Sequence, residues 1–251
     1  MRTEAQIERM IHNYEMQYKE FMGIEGFPKY KLQMYHLNPD EDEKKGWSSC
    51  AQARYDFKTQ EHILYICLDI ALIKHIVFHE FTHILDAEIY GKNSPQDYAY
   101  LSGYTEYHAA QVELMTLLGV QDICSTNFSF SINDRIKPFS SDMSVAEYLC
   151  SRHQLAEELF SKAEFPSDIE MLKSALGILY NYLGLRSICK MNSIDFIERV
   201  DNTAIIAKIS SITFFNVNTL MDGWFNDEKV KLSFGPYSQI LVPLIKEYKL
   251  I

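Results

Sequence analysis

A chain of 251 residues that is 47% hydrophobic and 23% charged has ample apolar content for a core, which excludes a disordered chain. Its 34 acidic against 24 basic residues leave a net charge of −10, so it lacks the basic footprint of a nucleic-acid binder. The length predicts one domain of two lobes, an N-terminal lobe over 1–138 and a helical C-terminal lobe over 139–251.

Charges run through the first ten residues, MRTEAQIERM, without an apolar stretch, so no secretory signal is expected. The first 25 residues predict a helix, because Ile7, Ile11, Tyr14, Tyr18 and Phe21 or Met22 recur at helical spacing. Lys31 to Leu37, between Pro28 and Pro39, reads as a strand, and the charged run Asp40 to Gly46 as a solvated loop. Ala53 to Thr59 and His62 to Ile70 alternate as an antiparallel hairpin, the second run being the outer strand. Ala71 to Tyr90 predicts a strong helix that stops at Gly91, where a C-terminal glycine cap would sit. Gly91 to Gly103 reads as a polar loop and Tyr104 to Leu118 as the next helix.

Val120 to Asp142 is expected to be a long irregular segment and carries the lobe boundary. Beyond it, Ser144 and Glu147 form a capping box that opens a helix to Phe160. Pro166, Ser167 and Asp168 start another that ends near Gly184. Further helices fill Ile194 to Leu250, one of them a core helix over Thr203 to Met221, with Gly235-Pro236 marking a turn. Both long apolar stretches, Ile63 to Phe78 and Thr203 to Met221, are interrupted by polar residues, so no membrane partner is expected. The five cysteines, Cys50, Cys67, Cys124, Cys150 and Cys189, are odd in number and lack CxxC spacing. They fit free thiols in a reducing cytoplasm.

One pentapeptide carries chemistry: His79-Glu80-Phe81-Thr82-His83, an HExxH inside a predicted helix. Residues i and i+4 lie on one helical face, so both imidazoles reach one ion. Glu80, one residue after the first histidine, reaches a water without taking a metal position. Composition makes a chance match rare, roughly 0.02 per chain of this make-up. His75 extends the histidine stripe by one turn but is poorly placed to close a tetrahedron. Asp86, three residues after His83, is either a partner for the ring N–H of a ligand histidine or a solvent-facing acid. A catalytic zinc needs a third protein ligand, and Glu106 and Glu113, seven apart on the next helix, both qualify. Composition does not choose between them.

The run HEFTHILDAEIYG followed by EYHAAQVE resembles the zincin metallopeptidases of the glutamate-ligand type, and within these the Mlc titration factor (MtfA-like) peptidases. The resemblance covers about Ile63 to Leu117. It implies a zinc ion held by His79, His83 and Glu106, Glu80 as the catalytic base, and Glu113 as a glutamate that does not ligate. It also implies that Tyr98, in a Tyr-Ala pair upstream, is a catalytic residue that steadies the transition state.

These readings converge on an α+β, zincin-like fold, with an antiparallel sheet beside the HExxH helix and a largely helical C-terminal lobe. The expected function is zinc-dependent hydrolysis of a peptide or protein substrate in the cytoplasm. The outer strand near His62 to Ile70 is expected to pair with an extended peptide. The alternative is a module that keeps the fold and binds a regulatory partner without cleaving. Retention of Glu80 argues against it, since a purely structural metal has no use for a base.

Overall fold

The computed structural model describes residues 3–37, 50–125 and 127–250. The chain mixes helices with a small sheet, is mostly helical, and divides into two compact units. Residues 1–95 with 112–126 make the first, and 96–111 with 127–251 the second. The expected charged loop at Asp40 to Gly46 lies outside the described residues.

In the first unit, helix α1 (Glu4–Met22) starts at a capping box in which Thr3 and Gln6 satisfy each other's backbone N–H. It ends at Gly23, whose left-handed φ of 65° suits a residue without a Cβ. Ile7, Ile11, Tyr18 and Phe21 are its buried stripe, as the spacing predicts. Strands β1 (Tyr30–Tyr35), β2 (Ala51–Asp56) and β3 (Glu61–Cys67) form one sheet in the order β1-β3-β2. The hairpin is as expected, with β2 antiparallel to β3 and Ala53 opposite Leu64.

Two expectations about the sheet are corrected. It is mixed, because β1 joins β3 in parallel; the chain between them, which includes β2, is long enough for the crossover a parallel pair needs. And β3, the His62 to Ile70 run, is the central strand, while β2 lies at the edge. Burial explains the order: Leu64 and Ile66 are fully enclosed, whereas Gln52 and Arg54 of β2 are exposed.

Helix α2 (Lys74–Asp86) packs on β2 and on α1. Its end differs from the expected glycine cap. A π-turn, Ala87–Gly91, closes it with the Lys92 N–H donating to the Ala87 carbonyl at 2.8 Å, and Gly91 is not left-handed. The expected loop over Gly91 to Gly103 is corrected too, because helix α3 runs from Pro95 to Leu117. A proline at the first helical position gives up only an N–H that had no helical acceptor, and its fixed φ starts the helix. Gly119, at φ 76°, closes this helix with its N–H on the Thr116 carbonyl.

In the second unit a short pair, β4 (Arg135–Ile136) with β5 (Met143–Ser144), interrupts the expected irregular stretch. The Ser144–Glu147 capping box opens α4 (Val145–Ser161). Helix α5 (Ile169–Asn192) is capped by Asp168 but does not stop near Gly184. That glycine is interior, and its missing side chain lets the Tyr107 carbonyl of α3 approach to 2.1 Å from where a Cβ would stand. The expected core helix over Thr203 to Met221 is two helices, α6 (Thr203–Ile209) and α7 (Ser211–Leu220), broken at Ser210 with φ 75°. Ile212 is 75% and Phe215 67% exposed, while Ile205, Phe214 and Val217 are buried, so one face of this stretch joins the core and the other does not. Helix α8 (Asp227–Glu247) contains Gly235, Pro236 and Pro243, which corrects the expected turn. Pro236 removes only an N–H directed at the carbonyl of Leu232, an exposed residue that water can serve. No described helix is long and apolar enough to cross a membrane.

Candidate metal centre

Helix α2 is fixed from one side and presents its histidines on the other. Val77, Phe78, Phe81 and Ile84 are enclosed, and Phe78 and Phe81 meet the Tyr18 ring edge-on with centroids 5.2 and 5.5 Å apart. The Tyr18 hydroxyl donates to Thr82 Oγ1 at 3.1 Å, and Thr82 donates to the Phe78 carbonyl. With that face anchored to α1, the half-buried rings of His79 and His83 share the opposite one, 4.8 Å apart and nearly perpendicular. Spacing alone predicts this pairing.

The chemistry of the pair depends on what touches each ring. His79 Nδ1 donates to Glu113 Oε2 at 2.8 Å, and both side chains are largely buried. A carboxylate only accepts, so the proton sits on Nδ1 and the lone pair, through which an imidazole ligates, on Nε2. Asp86, considered for such a role, is 2% exposed, which discards the solvent-facing reading. It lies near Tyr18, whose hydroxyl is raised above its ordinary pKa by burial first and by the charge of Asp86 in addition. His75 is buried at the start of the same helix.

Glu80 is buried, with Oε2 accepting from the Ala53 backbone N–H of β2 at 2.6 Å. In the antiparallel register the Cys67 N–H donates to the Cys50 carbonyl, so alternate residues of β2 face β3 and Ala53 points outward. The carboxylate therefore lies beside the outer edge of an edge strand. Burial, reinforced by the carboxylate charge of Glu80, pushes the Cys50 thiol up to about 12, so near neutral pH it stays protonated.

Glu106 and Glu113 ride on one continuous helix, α3, and seven residues put them on one face about 10.5 Å apart along the axis. One ion does not take both. Since Glu113 serves His79, Glu106 is the acid left for a metal, and its Oε2 accepts from Asn181 Nδ2 at 2.8 Å. Among the described residues, His79, His83 and Glu106 are the group of three that could hold a metal ion, each offering one ligand atom. Two imidazoles and a carboxylate, with a fourth position open, are the donors of a catalytic zinc.

Of the tyrosines, Tyr98 and Tyr100 are half-buried in the first turns of α3 rather than on a loop. Tyr98 precedes Glu106 by eight residues, about 12 Å of helix axis. Tyr104 is buried between His108, on which it stacks, and Phe225. The contacts that sequence reasoning missed are Ala53 on Glu80 and Asn181 on Glu106, and no local signal marks either one. No family model matches the chain, and neither does any curated protein or solved structure.

Proposed function

We propose that this protein is a zincin-like metallopeptidase that hydrolyses peptide bonds, with His79, His83 and Glu106 as the protein ligands of one zinc ion. The observation that carries this reading is the His79–Glu113 hydrogen bond, because a histidine held by a buried acid through Nδ1 is prepared to ligate through Nε2. The donor set supports it further. When bound, zinc supplies Lewis-acid polarisation of a water and of the scissile carbonyl. Glu80 takes the proton of the attacking water and delivers it to the leaving amine. The Ala53 N–H holds that carboxylate in place between the two transfers. Tyr98 is the proposed hydrogen-bond donor to the oxyanion.

An extended substrate adds to the outer edge of β2, which brings its backbone past Glu80. This moves the proposed docking strand from β3 to β2. The free cysteines support a reducing compartment, and we assign the cytoplasm. The test is cleavage of an internally quenched peptide library by purified protein, with zinc present and after its removal by a chelator. Zinc-dependent cleavage supports the reading. A protein that binds zinc yet leaves the library intact supports the non-cleaving module instead.

A further inference from the structure

Glu106 is not free to choose its rotamer. Its Oε2 accepts from the Asn181 side-chain amide of α5 at 2.8 Å. One helical turn earlier on the same face of α5 stands Gly177, and the Glu106 carboxyl group lies over it. A Cβ at Gly177 would stand 3.4 Å from Oε1, 3.5 Å from Cδ and 3.8 Å from Cγ. A larger side chain would take the space that the carboxylate occupies. The two residues i and i+4 of α5 thus form a seat for one carboxyl group: a donor at one end, a gap beneath it.

The donor is an amide, and that choice has chemical content. A lysine or arginine at 181 would hold Oε2 more strongly but neutralise the charge a cation needs. An aspartate would repel it. A neutral N–H fixes the plane of the carboxylate and leaves its full negative charge for a cation. We propose that Asn181 is the positioning residue of the third metal ligand, with Gly177 providing the space in which that ligand is held. The inference rests on the assignment of Glu106 as a zinc ligand and adds the residues that orient it.

The experiment measures zinc affinity by chelator competition for the wild-type chain and for Asn181→Ala, Asn181→Leu and Gly177→Val. Asn181→Ala weakens zinc binding about 10–100-fold, the range for loss of a group that orients a ligand. Asn181→Leu, close in volume but without a donor, weakens it at least as much. Gly177→Val displaces the carboxyl group and weakens zinc binding as well. Two readouts separate positioning from folding: the metal-free melting temperature of Asn181→Leu stays near wild type, and the visible absorption bands of the cobalt-loaded variant shift. Affinities and cobalt spectra unchanged in both Asn181 variants would overturn the positioning role while leaving the metal site intact. A wild-type chain that takes up neither zinc nor cobalt would overturn the metal site itself, and this inference with it.

Discussion

The Ala53 backbone N–H donates to Glu80 Oε2 at 2.6 Å, so an edge strand, rather than another side chain, holds the proposed base. A backbone donor is not lost to substitution, and it aims Glu80 at the strand along which substrate is proposed to lie. Replacing Glu80 with glutamine preserves shape and leaves an amide oxygen for Ala53, but removes the ability to take a proton. Glu80→Gln is therefore expected to keep its fold and zinc content while losing turnover by roughly 10²–10⁴-fold, the usual worth of acid–base catalysis. Turnover numbers beside mass-spectrometric metal content check this. Undiminished cleavage would remove Glu80 from the mechanism.

The two acids of α3 are expected to separate cleanly. Glu106→Ala deletes a proposed ligand, and zinc binding should collapse. Glu113→Ala deletes the acceptor of His79 Nδ1–H, which frees the ring to rotate and change tautomer, and should cost about 10–100-fold in affinity. Chelator titration of both variants decides between them. Collapse in Glu113→Ala alone, with tight binding kept in Glu106→Ala, would exchange the assignments.

Much of this site is legible in the sequence because its parts are local. HExxH places two imidazoles on one face by helical period alone, and Ser144 with Glu147 announces α4 three residues apart. What is not legible depends on partners far away in the chain. Pro95 reads as a loop residue unless a helix is already known to begin there. Gly184 and Gly235 both read as stops, yet one is the contact point of two helices and the other an exposed interior position. Asn181 stands 75 residues from the glutamate it holds, and nothing around it differs from an ordinary helical asparagine. The edge position of β2 needs β1, whose pairing is parallel and long-range.

Tyr18 tests how α1 supports the metal helix. Its ring is fully buried against Phe27, Phe78 and Phe81, and its hydroxyl donates to Thr82. Tyr18→Phe keeps the ring and removes one hydrogen bond, while Thr82 still donates to the Phe78 carbonyl. The expected loss is about 1 kcal/mol. Tyr18→Ala removes the ring and should cost about 3–5 kcal/mol. Denaturant unfolding of both variants measures the difference, and equal losses would mean that the hydroxyl, not the packing, is what matters.

The same substitution at two glycines is expected to differ widely in cost. Helix propensity alone favours Gly→Ala by roughly 1 kcal/mol in any helix interior. At exposed Gly235 in α8 a new Cβ meets nothing within 4 Å beyond its chain neighbours, but the Pro236 ring crowds the Cβ of a helical residue before it, so the propensity gain is offset and Gly235→Ala should be near neutral. At Gly184 a new Cβ would stand 2.1 Å from the Tyr107 carbonyl oxygen and 2.9 Å from Ala110 Cβ. The first of these is backbone and cannot swing aside, so α3 and α5 must part, at a cost of roughly 1–3 kcal/mol or more. Parting them also lengthens the Asn181–Glu106 hydrogen bond one turn away, so Gly184→Ala should lose zinc affinity in step with stability. Thermal melts of both variants, with and without zinc, check the two outcomes together. A Gly184→Ala protein as stable as wild type would mean that α3 and α5 are not in contact through this glycine.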